Sequence, residues 1–193
     1  MLVVFDVDGV ILDSNAFWAH MASSLLTSLF IQPEDHLDEK INSFSIEEGI
    51  KYLNKQYDLS LTNLDIQNYI YDYYRSKVMP KQDILSLIYE LDQHKIEMNI
   101  LTSNDQLIID TILDRFGLKQ YFTHIYTNQN KHDPSTFKQF KQEEICLIDD
   151  SIYALKTAKE ASWKVLGIYD PDSFENKEEI EKETNITREE LFL

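Results

Sequence analysis

The residues with the clearest chemical potential in this 193-residue sequence are carboxylates that follow apolar segments. Asp6 and Asp8 come directly after the apolar run Leu2–Phe5, and Gly9 follows them. Two aspartates at alternate positions of a strand point to the same side of the sheet, and burying both carboxylates there is expensive unless a cation or a proton compensates. Gly9 would let the chain turn sharply where a side chain would crowd the site. The pattern predicts a cation-dependent site at the end of the first strand.

A second acidic pair, Asp149 and Asp150, follows the apolar run 145–148. By itself this pair is equally typical of a helix cap. At a strand end next to Asp6 and Asp8, however, the carboxylates would repel one another unless they shared a hard divalent cation. Because the ligands would all be oxygen atoms, we expect the cofactor to be Mg²⁺.

Ser103 and Asn104 follow the apolar run 96–101, where a strand meets a helix. A hydroxyl and an amide beside exposed helix N–H groups suit an anionic oxygen, although either residue could simply cap the helix. Lys131 adds a cation in a later loop, and a lysine considered alone is most often a surface residue.

The elements that would position these residues follow an alternating pattern. Apolar runs at 2–5, 96–101, 145–148 and 165–168 are separated by amphipathic helical stretches. This alternation predicts an α/β fold with a doubly wound, Rossmann-like parallel sheet as its core.

The stretch 14–79 interrupts the alternation, because it contains helical patterns and no convincing strand. Ser45 with Glu48 and Thr62 with Asp65 form capping boxes that predict helix starts. We therefore expect a small all-helical cap domain at 14–79, inserted after the first strand into a core formed by 1–13 and 80–193. Such a cap would act as a lid at the carboxyl end of the sheet, where α/β proteins bind ligands.

Composition excludes several partners. The formal net charge of −16 argues against nucleic acid and anionic membranes. A single cysteine and the absence of a signal-like or membrane-spanning segment predict a cytoplasmic protein, which we expect to be a monomer or a weak dimer. The acidic stretch 170–193 is typical of a solvated helical face or tail.

The ordered set Asp6-x-Asp8-Gly9, Ser103, Lys131 and Asp149-Asp150 resembles the motifs of the haloacid dehalogenase-like hydrolase superfamily. The helical insertion after the first motif is similar to the branch that includes phosphoglycolate phosphatase and β-phosphoglucomutase. The resemblance implies that Asp6 is a nucleophile that becomes an aspartyl-phosphate. It implies that Asp8 is first the general acid for the leaving oxygen and then the base for the hydrolytic water.

The resemblance also implies the binding groups. Ser103, with Asn104 beside it and Gly9 at the turn, would bind the phosphoryl group, and Lys131 would neutralise its charge and orient Asp6. Mg²⁺ would be held by a set consisting of Asp6, the backbone carbonyl of Asp8, Asp150, and Asp149 as a further or indirect ligand.

The implied activity is a Mg²⁺-dependent phosphatase acting on a small phosphorylated metabolite. A sugar phosphomutase of the same family is one alternative, although Trp18 stands where its cap histidine is expected. A catalytically silent binding protein is another. A response-regulator receiver fits less well, because there the acidic pair precedes the phospho-accepting aspartate. Three family positions also differ here, with Asn15 in place of glutamate, His132 in place of proline and Asp149 in place of glycine.

Overall fold

The computed structural model describes residues 1–41, 44–173 and 175–192. In chain order its strands are β1 (Leu2–Phe5), β2 (Leu12–Asp13), β3 (Met79–Pro80), β4 (Glu97–Leu101), β5 (His124–Tyr126), β6 (Ile145–Asp149) and β7 (Lys164–Gly167). Within the described residues, five of these strands form a parallel sheet in the order β5-β4-β1-β6-β7. The chain thus starts in the centre of the sheet and winds outward first on one side and then on the other. The predicted α/β fold with a doubly wound parallel sheet is confirmed.

Helices connect the parallel strands and form the inserted segment. In chain order they are α1 (Asn15–Ala19), α2 (Met21–Ser28), α3 (Leu37–Ile41), α4 (Ile46–Tyr57), α5 (Asn63–Ser76), α6 (Gln82–Gln93), α7 (Gln106–Phe116), α8 (Ser135–Lys138), α9 (Ile152–Glu160) and α10 (Lys177–Glu183). The ends of α7 show how the sequence sets such boundaries: the Asp105 side chain accepts from the Ile108 N–H, and Gly117 ends the helix at φ 65°.

The described residues divide into two compact units, Met1–Asn15 with Val78–Leu193, and Ala16–Lys77. The predicted insertion 14–79 is two residues longer at each end than the smaller unit. One of those residues, Met79, lies in the short strand β3, which pairs antiparallel with β2 in the larger unit. The assignment of the smaller unit as a cap domain stays a prediction.

In the smaller unit, both predicted capping boxes are present, at Ser45 and at Thr62. The apolar stretch 16–30 contains two helices, α1 and α2, which are separated at His20. The first turn of α2 is capped by a side chain of α3, since Asp38 Oδ1 accepts hydrogen bonds from the backbone N–H groups of Ala22 and Ser23 at 3.0 Å each.

The acidic C-terminal stretch is not a tail: it contains α10, which has the predicted solvated, charged helical face but also packs an apolar residue against the core. Ile180 on α10 is buried, and Asn185 exchanges two hydrogen bonds of 2.7 and 3.0 Å with the backbone of Val165 at the outer strand β7. Asp170 is also buried, where it pairs with Lys81. Charged side chains line the outside of α10, but its apolar face completes the core. Within this stretch, residues 174 and 193 lie outside the described part of the chain.

None of the helices in the described ranges combines the length and the apolar character needed to cross a bilayer.

The packing of α10 leads to a stability prediction. Ile180→Ala should lower the free energy of unfolding by about 2–4 kcal/mol, because it leaves a cavity against β7 and α9. Urea denaturation measures the change. Glu181→Ala, on the exposed side of the same helix, serves as the control and should change stability little. Equal effects of the two substitutions would contradict the buried position of α10.

Candidate active site

The predicted acidic residues meet at the carboxyl ends of two adjacent strands. β1 and β6 pair in parallel with Phe5 opposite Ile148, and the N–H of Asp6 donates to the Ile148 carbonyl at 2.9 Å. Asp6 therefore follows β1 at the level where Asp149 ends β6. The strand order reverses its direction at this pair, and α/β sheets bind ligands at such switch points.

Lys131 joins the two strand ends. Its Nζ lies 2.8 Å from Asp6 Oδ2 and 2.6 Å from Asp149 Oδ2, and all three side chains are buried. Burial alone would lower the pKa of Lys131, but the charges of Asp149 and Asp6 raise it above its ordinary value. The ammonium group therefore stays protonated at any physiological pH.

A third carboxylate extends this group. Oxygen atoms of Asp6, Asp149 and Asp150 all lie within 4.8 Å of one another. Burial, followed by the charges of Asp149 and Asp150, raises the pKa of Asp6 well above its usual range despite the opposing effect of Lys131. Burial and the charge of Asp149 likewise raise the pKa of Asp150 to about 7. The cluster thus resists full ionisation in the absence of a further cation.

These carboxylates fit a divalent cation. Their donors are all oxygen, which suits a hard ion, and the ammonium of Lys131 cannot balance all of them. The two candidate ligands Asp149, at the end of β6, and Asp150, which follows it, differ in the hydrogen bonds that their oxygens accept. Both oxygens of Asp149 already accept hydrogen bonds, one from Lys131 and one from the Ser151 N–H at 2.9 Å. Asp150 accepts at Oδ2 from the Asn15 side chain at 3.0 Å.

The carboxylate of Asp8 has different neighbours. Its Oδ1 accepts from the Ser14 hydroxyl at 2.6 Å, and its Oδ2 accepts from the Asn104 amide at 2.5 Å. It does not belong to the metal-ligand group found among the described residues, which leaves its backbone carbonyl as the predicted contribution to the metal. Asn104, predicted to bind the phosphoryl group, contacts Asp8, and its role toward a phosphoryl group stays a prediction.

Gly9 occupies a position that tolerates no side chain. Its φ is +70°, and a Cβ there would lie 2.0 Å from Asp150 Oδ2 and 2.7 Å from Asn15 Nδ2. The turn after β1 can therefore approach the carboxylate of Asp150 only because residue 9 is glycine.

A cavity of about 470 Å³ opens beside Asp6, Ser103 and Lys131. Its remaining lining is polar apart from one alanine and consists of Asn128, Gln129, Asn130, His132, Ser151 and Ala154. A carboxylate, an ammonium group and a hydroxyl thus face one space, which suits an electrophile that carries anionic oxygens. Sequence reasoning found these three residues but missed the amide run 128–130, which has no motif signal. It noted Asn15 only as a departure from the family pattern.

Comparison with known proteins agrees with this architecture. Residues 3–168 match the model of a family described as haloacid dehalogenase-like hydrolase. Among curated proteins, none matches the sequence significantly.

Solved structures with the same fold cover nearly the whole chain. A β-phosphoglucomutase candidate from Thermotoga maritima superposes with a TM-score of 0.78 at 17% identity, covering 99% of this chain and 96% of that one. A HAD family hydrolase from Deinococcus radiodurans R1 with bound phosphate and sodium gives 0.71 at 17% identity, covering 98% and 92%. A predicted phosphoglycolate phosphatase from Haemophilus somnus gives 0.65 at 17% identity, covering 86% and 84%. At these identities the likeness establishes the fold.

The geometry at Gly9 predicts a large effect of a single methyl group. Gly9→Ala should destabilise the protein by about 2–4 kcal/mol, because it combines backbone strain with a clash against Asp150. Gly117→Ala is the matched control: Gly117 has φ +65°, but a Cβ there meets nothing within 4 Å. It should therefore lose only about 1 kcal/mol from strain. Urea unfolding compares the two, and equal losses would refute the steric role of Gly9.

The acidic cluster predicts pH-dependent stabilisation by a divalent cation. Because the pKa of Asp150 is raised from 3.8 to about 7, the ion-free folded state loses stability as the pH rises through this interval. A bound cation offsets that loss, and at an excess of about 100 times its Kd it adds about 2.7 kcal/mol. The rise in Tm on adding the ion should thus be larger near pH 8 than near pH 5.5, where the ion must displace protons. An equal rise at both pH values, or an unchanged rise in Asp150→Asn, would contradict the assigned site.

Proposed function

Because the chain belongs to the haloacid dehalogenase-like hydrolases, we propose that it is a Mg²⁺-dependent phosphatase that hydrolyses a small phosphorylated metabolite. The observation that carries the proposal is the contact of Lys131 with Asp6 at 2.8 Å at the edge of a cavity that Ser103 also lines. This arrangement supplies a nucleophile together with groups that bind a phosphoryl oxygen.

In the proposed reaction Asp6 is the nucleophile, and Asp8 is the general acid and then the general base. A carboxylate oxygen of Asp6 attacks phosphorus, the bond from phosphorus to the ester oxygen breaks, and Asp8 donates a proton to that oxygen. Asp8 then takes a proton from water, whose oxygen attacks the phosphorus of the aspartyl-phosphate. Phosphate leaves and the Asp6 carboxylate is restored. A covalent intermediate splits one difficult step into two easier ones.

Lys131 and Ser103 act on the transferred group. Phosphoryl transfer depends mainly on positioning and on stabilising the charge of the equatorial oxygens. The Lys131 ammonium is fixed by Asp149 as well as by Asp6, so it is already oriented before the substrate binds. The Ser103 hydroxyl is exposed at the cavity and is free to rotate toward a phosphoryl oxygen.

Asp6, Asp150 and the backbone carbonyl of Asp8 would hold Mg²⁺. When bound, the ion offsets the repulsion between the Asp6 carboxylate and an anionic phosphate ester. Asp149 is better suited to orient Lys131, since its two oxygens already accept hydrogen bonds from Lys131 and Ser151. The structure from Deinococcus radiodurans, which has this fold, contains bound phosphate and sodium, and this supports an anion and a cation as ligands.

A phosphomutase is the less favoured alternative. In the smaller unit, the Trp18 indole donates to the Tyr74 hydroxyl at 3.0 Å, and an indole cannot serve as an acid or base at neutral pH. His20 has an exposed side chain that lies 3.7 Å from Asp38. Neither contact favours proton transfer to a sugar, so we assign release of inorganic phosphate as the reaction.

The proposal predicts a sharp dependence on Asp6. Wild type should release phosphate from members of a phosphomonoester panel only with Mg²⁺ present. Asp6→Asn should lower kcat by about a thousandfold or more, because the amide is a poor nucleophile. Asp114→Asn, a change of an exposed aspartate on α7, should leave kcat unchanged.

Three results would overturn this assignment: no turnover by folded wild type on a broad panel, full activity of Asp6→Asn, or hydrolysis that a chelator does not affect. With hexose 1-phosphates, formation of an isomeric sugar phosphate instead of free phosphate would establish the mutase.

A further inference from the structure

Lys81 stabilises the turn that follows β1 through two hydrogen bonds to its backbone. Its Nζ donates to the backbone carbonyl of Gly9 at 2.8 Å and forms an ion pair with Asp170. Its own backbone N–H donates to the carbonyl of Ile11 at 2.9 Å. Lys81, which directly precedes α6, thus holds the turn at two carbonyl oxygens and ties it to the loop after β7.

Asp170 is buried and Lys81 is largely buried, with side chains that are 8% and 14% exposed. Asp170 also accepts the backbone N–H of Asp172 at 2.8 Å. Burial alone would raise the pKa of Asp170, but the hydrogen bonds from Lys81 and Asp172 hold it below its ordinary value. The carboxylate is therefore ionised at neutral pH and fixes the direction of the ammonium group.

Stability alone is a weak explanation for such a pair. Replacing a buried ion pair by apolar residues of similar size is often neutral or stabilising, because desolvation offsets the attraction between the charges. Apolar residues could not donate a hydrogen bond to Gly9, however. What the charged pair adds here is a directed donor for one particular carbonyl oxygen.

Gly9 is placed where a small movement would disturb the site. Its N–H donates to Ser14 Oγ at 3.2 Å, and the Ser14 hydroxyl in turn donates to Asp8 Oδ1 at 2.6 Å. On its other side, the Cβ position of Gly9 lies 2.0 Å from Asp150 Oδ2. The orientation of the Gly9 peptide is therefore coupled both to the hydroxyl that aims Asp8 and to a carboxylate of the acidic cluster.

We propose that Lys81 and Asp170 are positioning residues that hold the Gly9 turn so that the Asp8 carboxyl stays aligned with the leaving oxygen of the substrate. The inference rests on the proposed function, in which Asp8 protonates that oxygen. The pair acts through Gly9 and does not line the cavity beside Asp6.

Comparing leaving groups tests this inference. An alkyl phosphate needs its leaving oxygen protonated, whereas p-nitrophenyl phosphate releases a stable phenolate without help. Lys81→Met should lower kcat/KM about 10- to 100-fold for the alkyl ester but less than about threefold for the aryl ester, since it misaligns the general acid. The ratio of the two values does not depend on the fraction of folded enzyme, so a loss of stability cannot imitate this result.

Two further variants separate positioning from folding. Lys81→Met/Asp170→Leu removes the unpaired carboxylate, so it should regain thermal stability while keeping the altered ratio. Lys159→Met breaks a comparable ion pair, with Glu183 at 2.8 Å between α9 and α10, and should leave the ratio as in wild type. An unchanged ratio in both Lys81 variants would overturn the inference while the phosphatase assignment stands. Folded wild type that cleaves no ester of a broad panel of alkyl and aryl phosphates would contradict the phosphatase assignment itself and the inference with it.

Discussion

The repulsion among buried carboxylates at the end of β1 is the constraint on which the rest of the site depends. Asp6 and Asp149 are buried at the carboxyl ends of neighbouring strands, with Asp150 next to them. Lys131 contacts two of these carboxylates and stays charged because of them. Its charge does not balance the whole cluster, so burial, together with the neighbouring carboxylates, raises the pKa values of Asp6 and Asp150. A site built in this way favours a divalent cation, and with it an anionic substrate that an acidic protein would otherwise repel.

The turn between β1 and β2 sets the position of Asp8 relative to these carboxylates. It places Asp8 near the cluster, while the Asp8 carboxylate stays outside the group of Asp6, Asp149 and Asp150 that could share a metal ion. The Ser14 hydroxyl and the Asn104 amide fix the direction of the Asp8 side chain, because each donates a hydrogen bond to one of its carboxylate oxygens. Gly9 permits the close approach to Asp150, and Lys81 donates a hydrogen bond to the Gly9 carbonyl. Ser14 and Asn104 thus orient the proposed acid, whereas Lys131 orients the proposed nucleophile.

Much of this could be read from the sequence, because apolar runs and the residues that follow them are local signals. They predicted the parallel core and the cluster that includes Asp6 and Asp149. β5 was missed, since His124–Tyr126 is short and only partly apolar. The pairing of Lys81 with Asp170 was missed because it joins residues far apart in the chain. The burial of Asp170 was missed for a related reason, because a run of charged residues does not reveal that its first residue is buried.

The central claim is that Asp6 becomes covalently phosphorylated, and trapping the acyl phosphate tests it most directly. Asp8→Asn, mixed with p-nitrophenyl phosphate and Mg²⁺, should form the aspartyl-phosphate but hydrolyse it slowly, because the base for the attacking water is missing. Borohydride reduction after an acid quench, followed by peptide mass spectrometry, should then find the Asp6 side chain converted to homoserine. Release of p-nitrophenol with Asp6 unmodified, or with the modification on another residue, would contradict the account.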